Sequence, residues 1–184
     1  MNIKFFSISF LMILGSISIS AQSKYFTRNA NVVFDASGPL EEISANNSKV
    51  SSVIDANTGK IEFAVLIKSF VFDKALMQEH FNENYLESDK YPKSTFKGTI
   101  TNISDISLSK KGTYTAKVTG KMTIHGVTKE VVATGPITVN GKSINLNATF
   151  NIKLSDYNIK VPALVKDKLS NEVKITVSGN YNAM

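Results

Sequence analysis

The sequence predicts an all-β protein, an antiparallel barrel of about eight strands with one short helix near an open end. Long runs alternate apolar and polar residues, a period of two that turns one strand face to a core and the other to water. Two-residue turns join consecutive runs, which is typical of antiparallel neighbours. Several runs reach about 11 residues, near twice the usual strand length. Long strands with minimal turns favour an up-and-down barrel over a sandwich.

The N-terminus is typical of a secretory signal peptide. Lys4 supplies a positive charge, residues 5–14 form an uncharged apolar stretch, and small residues lead to Ala21. The apolar stretch is too short and too rich in serine for a membrane-spanning helix, which needs about 20 apolar residues. We therefore expect residues 1–21 to be removed and residues 22–184 to form one domain, periplasmic or secreted.

Composition narrows the class of protein further. The 184-residue chain contains no Cys, which is ordinary for an exported bacterial protein that folds without disulfides. Its net charge is +6, and a basic chain can bind nucleic acid or anionic lipid. The lysines alternate with Thr and Asn along the strands instead of clustering, so we expect a solvated barrel exterior and no nucleic-acid partner.

The first half of the chain predicts three strands and the helix. The strands fall at residues 25–35, around 50–54, and at 61–67, with turn-forming residues at 55–59. Asp73 is suited to cap a helix, in which apolar residues recur every four positions from Met77 onwards. We expect this helix of about three turns to lie over the open end of the barrel as a candidate lid, ending before a Tyr-Pro pair.

The second half predicts the remaining strands. A strand begins at Phe96, and three more fill Thr113–Leu154, joined by turns at His125-Gly126 and at Asn140-Gly141, the latter a type I′ pattern. Residues 155–171 form a long connection that packs across the barrel or at its mouth. The last strand, 173–181, is expected to pair with the first and so remove the free edges.

The apolar faces leave open whether the interior is a core or a cavity. Small residues stand among the larger ones on these faces. They either leave room for a tunnel or relieve strain where strands bend. These small residues are Ala116, Gly120, Ala133, Gly135, Ala148 and Gly179. No charged residue falls on these faces. A ligand held there would be mostly hydrocarbon, bound by burial at about 0.8 kcal/mol per CH₂.

Two segments resemble the YceI-like family of bacterial periplasmic proteins. Residues 74–92, followed by Phe96, resemble that family's helical turn, K-Y-P sequence and following F. Gly120–Lys129 resembles its G-x-L-T-I-x-G-V-T-K hairpin, and the likeness covers nearly all of residues 22–184. The stretch at Ser155–Ile159 departs from an Arg-x-x-Phe-Gly-like pattern in the family.

This resemblance implies a lipocalin-like antiparallel barrel that binds a polyisoprenoid or another long amphipathic lipid in its apolar interior. It further implies no cofactor and, often, a homodimer. By the same resemblance the helical segment borders the tunnel, while Gly126 and Thr128 hold the hairpin.

The sequence offers little for catalysis or metal binding. With no Cys, His80 and His125 are the sole imidazoles. His125 lies in a two-residue turn, where we expect an exposed side chain. His80 and Glu83 stand three residues apart, but a catalytic zinc normally takes three protein ligands. No nucleophile motif appears, so we expect neither an enzyme nor a metal site.

We therefore predict non-catalytic binding or carriage of a long-chain lipid: a polyisoprenoid, an isoprenoid quinone or a fatty-acid derivative. The head group would lie at the mouth near Lys74, His80 or Lys90, with transient contact to a membrane surface. The residues predicted to contact the ligand are Phe63, Val65, Phe70, Phe72, Met77, Phe81, Tyr85, Phe96, Tyr114, Ala116, Val118, Met122, Ile144, Ala148, Phe150 and Ile175.

Two alternatives stay open. A small outer-membrane barrel would turn its apolar rows outward to lipid, although the chain has no Trp and no terminal aromatic residue. A ligand-free barrel would instead have a packed interior and act through its outer surface as a stress-response or interaction protein.

Overall fold

The computed structural model describes residues 24–184, which form eight strands in one closed antiparallel barrel. The predicted signal peptide lies outside these residues. Each strand pairs with the next, and the last pairs back to the first, which confirms the predicted architecture. The strands are β1 (Lys24–Ser37), β2 (Ser44–Asp55), β3 (Lys60–Leu66), β4 (Lys93–Ile100), β5 (Gly112–Ile124), β6 (Val127–Asn140), β7 (Ser143–Lys153) and β8 (Leu169–Ala183).

The apolar rows of the strands face the interior. On β5, for example, Ala116 and Met122 are buried, whereas Lys117, Thr119 and Lys121 are exposed. This is the arrangement expected of a barrel with a wet exterior, and it is opposite to that of an outer-membrane barrel.

One of the two predicted hairpin turns is confirmed, and the other lies one residue later than predicted. Between β5 and β6, His125 and Gly126 have φ angles of 50° and 75°, as a type I′ turn requires. Between β6 and β7, Asn140 pairs with Ser143, so the turn lies at Gly141-Lys142 and not at Asn140-Gly141. The predicted turn would place Lys142 opposite the fully buried Val139. The observed turn leaves Lys142 in solvent.

The predicted helix is present as α1 (Ala75–His80), which continues into a π-helical turn at Phe81–Tyr85. We call residues 75–85 the lid. Asp73 does not cap it, because Lys74 occupies the N-cap position and no side chain caps the helix there. The inward face of the lid packs on the barrel's upper interior.

The lower half of the barrel is filled by side chains, which we call the lower core. It lies where β1, β3, β5 and β7 begin, and its members are almost entirely inaccessible. Its buried residues are Tyr25, Ile54, Ile61, Ile100, Ile106, Ala116, Ile137, Val139, Ile144, Leu146 and Tyr181.

A buried hydroxyl pair anchors the lower core. Tyr181 donates to Ser52 Oγ at 2.9 Å, and Ser52 donates to the Glu62 carbonyl oxygen at 2.8 Å. Burial raises the pKa of the Tyr181 hydroxyl far above its usual value, so the ring stays neutral. A Cβ on Gly179 would lie 2.8 Å from this ring. That glycine therefore makes room for an aromatic neighbour.

Gly98 and Gly120 serve the same purpose on β4 and β5. A Cβ on either would come within 2.7 Å of the Phe96 ring. Some small residues of the inward faces thus accommodate rings, while Ala116, Ala133 and Ala148 border the cavity. Gly135 also lies on the cavity wall, but a Cβ there would clash with the Asn147 carbonyl oxygen of β7, so this glycine allows two backbones to approach closely. Of the two roles that the sequence left open, room for a cavity is found at the alanines, while relief of strain where strands bend stays a prediction.

We expect Tyr181→Phe to destabilise the fold by about 1 kcal/mol, because Ser52 loses a buried hydrogen-bond donor. Urea unfolding measures this loss. Tyr114→Phe is the matched control, since the Tyr114 hydroxyl bonds the Lys110 carbonyl in an exposed position. Equal changes in both variants would contradict the anchoring role of Tyr181.

Candidate functional site

A cavity of about 620 Å³ occupies the upper half of the barrel, between the lower core and the lid. Its wall comes from the inward faces of β1 and of β3 to β8. Ligand sites in proteins usually measure about 300 to 1,000 Å³. The interior is therefore neither a fully packed core nor an open channel.

The cavity wall contains all but two of the residues predicted from the sequence to contact a ligand. Strands and lid both contribute to it, and contact with a ligand stays a prediction for each residue. The predicted residues on the wall are Phe63, Val65, Phe70, Phe72, Met77, Phe81, Tyr85, Phe96, Ala116, Val118, Met122, Ala148, Phe150 and Ile175.

Tyr114 and Ile144 lie elsewhere, in or against the lower core. Ile144 pairs with Val139 and Tyr181 at the level where side chains fill the interior. Tyr114 packs against the same cluster from near the start of β5. Both residues face inward as predicted, but at a depth where no cavity is left.

The structure adds wall residues that sequence reasoning did not assign to the site. Val32 and Phe34 of β1 line the cavity, and their alternation was the available signal. The connection between β7 and β8 contributes apolar residues at the mouth, where it was predicted to pack: Leu154, Ile159 and Val165.

An aromatic cluster attaches the lid to the barrel. Phe81 of the lid stacks on Phe34 with ring centroids 5.2 Å apart. Phe70 and Phe72 present their edges to Phe34 at 5.3 and 5.6 Å. Edge-to-face and offset pairs of this kind each contribute about 0.5–1.5 kcal/mol beyond burial. The middle of the lid is thus held by aromatic packing.

His125 ties three segments together at the mouth. Its Nε2 lies 2.7 Å from Glu87 Oε2, just beyond the lid, and its Nδ1 lies 3.2 Å from the Tyr157 carbonyl oxygen. Both oxygens are hydrogen-bond acceptors, and each lies within hydrogen-bond distance of one ring nitrogen. The Tyr91 ring meets the imidazole edge-on, with centroids 4.6 Å apart.

The expectation of an exposed His125 was wrong, since its side chain is only 13% exposed. The turn does place its backbone at the rim, as predicted. The segments that cover the ring come from distant parts of the chain, which the turn pattern does not reveal. One of them carries Tyr157, whose pKa is raised to about 12 by burial and by the nearby Asp156.

The basic and acidic side chains that line the cavity, over residues 24–184, are Glu41, Lys74, His80 and Lys168. Lys74 Nζ lies 3.0 Å from Glu41 Oε1, and Lys168 Nζ lies 3.7 Å from Glu41 Oε2. The two ammonium groups hold the pKa of Glu41 below its usual value.

Of the head-group contacts predicted from the sequence, Lys74 and His80 lie at the cavity. Lys90 is not on its wall. The Lys90 ammonium lies 3.9 Å from Glu87 Oε2 and 4.9 Å from the centre of the Tyr91 ring.

Within the described part of the chain, no three His, Asp or Glu side chains are grouped so that they could hold a metal ion. In that same part, no helix is long and apolar enough to cross a membrane.

A closed eight-stranded antiparallel barrel with an apolar cavity beneath a helical lid places the protein among the lipocalin-like barrels. The chain belongs to the YceI-like domain family, whose sequence profile matches residues 16–181. This confirms the resemblance found in the sequence.

Solved structures show the same fold. The chain is similar to a polyisoprenoid-binding domain from Saccharophagus degradans implicated in plant cell wall breakdown, with a TM-score of 0.77 and 14% identity over 88% of this chain and 99% of that one. It is similar to Burkholderia cenocepacia BcnA, with a TM-score of 0.68 and 18% identity over 82% and 95%. For the Campylobacter jejuni YceI protein the TM-score is 0.55, with 17% identity over 99% of both chains. No curated protein matches the sequence.

We expect Glu87→Gln to loosen the lid, because the amide is a weaker acceptor for His125 than the carboxylate. Hydrogen exchange of peptides spanning residues 75–91 should become about fivefold faster, which corresponds to a loss of about 1 kcal/mol of local stability. Glu83→Gln is the control, since Glu83 is exposed on the lid and takes no part in the His125 contacts. The same exchange rate in both variants would contradict this role of Glu87.

Proposed function

We propose that this protein binds and carries a long-chain amphipathic lipid, without catalysis, in the cavity beneath the lid. The observation that carries the proposal is the apolar wall of a 620 Å³ cavity whose charged side chains belong to Glu41, Lys74 and Lys168 near the mouth. An amphipathic molecule fits this distribution with its tail inside and its polar head at the rim. A polyisoprenoid, an isoprenoid quinone and a fatty-acid derivative share this chemistry.

Burial of the tail supplies the affinity. A dozen methylene groups removed from water contribute about 10 kcal/mol. Association costs at least about 4 kcal/mol of lost translational and rotational freedom. The remaining free energy of about 6 kcal/mol corresponds to a Kd of roughly tens of micromolar without any polar anchor. No cofactor is needed for such a function.

The head group has basic partners at the rim. Lys74 and Lys168 share the single carboxylate of Glu41, and His80 is also on the cavity wall. An anionic or strongly polar head can approach these side chains without desolvating them, because both ammonium groups are more than half exposed.

The relatives and the N-terminus support the proposal. The Saccharophagus neighbour is a polyisoprenoid-binding domain, and the family profile covers most of this chain. The signal-peptide pattern of residues 1–21 supports carriage in the bacterial periplasm. Contact with a membrane surface and pairing into a homodimer belong to the same proposal.

Native mass spectrometry of protein purified without detergent from a bacterial periplasm tests this function. We expect a stoichiometric adduct that solvent extraction identifies as a long-chain lipid. An apo mass that does not change after incubation with isoprenoid quinones and fatty amides would refute lipid carriage. It would favour the alternative of a barrel that acts through its outer surface.

We expect Ala148→Phe to abolish lipid binding, because a benzyl group on the cavity wall occupies the space of the tail. Titration with a fluorescent polyene fatty acid measures binding, and far-ultraviolet circular dichroism checks the fold. Ala64→Phe is the matched control, since Ala64 is exposed on β3. Undiminished binding by a folded Ala148→Phe variant would show that the tail lies elsewhere.

A further inference from the structure

The lower core closes the cavity from below. Phe63, Phe96 and Val177 line the cavity and also pack against both the upper and the lower cluster of the interior. Beneath them, Ile61, Ala116 and Leu146 belong to the lower core and still touch the cavity. We call these six residues the floor.

The side chains below the floor are too tightly packed to move aside for a ligand. Ile54, Ile100, Ile137 and Ile144 are each 1% exposed, and Val139 and Tyr181 are at 0%. The Tyr181 hydroxyl is fixed by its bond to Ser52. Overfilling such a core forces side chains out of their rotamers. A ligand tail therefore stops at the floor and cannot continue to the lower end of the barrel.

The space above the floor limits the length of the tail. If a chain carbon takes about the volume of one water molecule in the liquid, roughly 30 Å³, the 620 Å³ cavity holds about twenty carbons. Four isoprene units, or one long fatty chain, reach this size. A chain of eight isoprene units has twice as many carbons as the cavity holds.

We propose that the floor sets the chain length of the ligand, so that this protein selects single hydrocarbon chains of about twenty carbons over long polyprenyl chains. The inference rests on the proposed lipid-binding function. A longer chain leaves its excess carbons outside the cavity. For every two carbons that must move from the bilayer into water, the fraction of protein that carries this lipid falls about tenfold. The preference for chains that fit inside the cavity is therefore strong.

Two floor residues allow the limit to be moved in either direction. Leu146 belongs to the lower core and still touches the cavity, so Leu146→Ala removes the end of a floor side chain and deepens the cavity. Ala116 lies on the cavity wall on β5, where it pairs with Gly135 of β6. Ala116→Leu therefore raises the floor.

The test offers the protein vesicles of phosphatidylethanolamine and phosphatidylglycerol that contain equal amounts of prenyl alcohols with three, four, five and eight isoprene units. After the vesicles are removed, native mass spectrometry identifies the bound alcohol. We expect the four-unit alcohol to dominate, with the eight-unit alcohol at least tenfold less abundant. Leu146→Ala removes three carbons from the floor, so the uptake of the five-unit alcohol relative to the four-unit alcohol should rise about thirtyfold. Ala116→Leu adds three carbons and should shift the preference to the three-unit alcohol.

The test distinguishes a failure of the length limit from a failure of the proposed lipid binding. Uptake of the eight-unit alcohol equal to that of the four-unit alcohol would overturn the length limit but leave lipid binding intact. Uptake of no alcohol, and no binding of a fluorescent polyene fatty acid, would overturn the proposed function and the limit with it. Val132→Ala, on the exposed outer face of β6, should keep the wild-type preference. A folded floor variant with unchanged preference would show that the floor does not set the length.

Discussion

The packing of the lower core is the constraint on which the rest of the structure depends. A barrel of eight strands is just wide enough to be filled by side chains or to hold one small ligand, and this barrel does both, one at each end. An empty apolar volume costs stability, because the lining side chains lose their packing partners. The filled end, with its buried bond between Tyr181 and Ser52, offsets that cost and keeps the strands in register around the cavity.

Alternation along a strand predicts which way a side chain points but not how deep it lies. Ala116 and Tyr114 stand two residues apart on β5, and both were predicted to contact the ligand. Ala116 lines the cavity, whereas Tyr114 packs against the closed end. On β7, likewise, Leu146 touches the cavity, whereas Ile144, which was predicted to contact the ligand, lies deeper in the lower core. The depth of the floor results from the stagger of eight strands and from the rings of Phe63 and Phe96, which no single strand encodes.

In the turns and the lid, too, some features depend on neighbouring residues in the sequence, and others depend on residues far away in the chain. The two-residue turn predicted at His125-Gly126 is present, because such a turn depends on local sequence. The partners of the His125 side chain, Glu87 and Tyr157, are 38 and 32 residues away in the chain. The lid was predicted from its apolar periodicity, and its position follows from the aromatic cluster around Phe34.

The attachments of the lid differ in strength along its length, and this bears on how a lipid gains access to the cavity. At its start, Lys74 meets Glu41 on the surface, where ion pairs contribute little. At its middle, Phe81 is held by three aromatic neighbours. Beyond its end, Leu86 and Ser88 are buried. The start of the lid therefore separates from the rim at the least cost. The basic side chains that suit a polar head group lie at that same place, so the weakest attachment and the head-group site coincide.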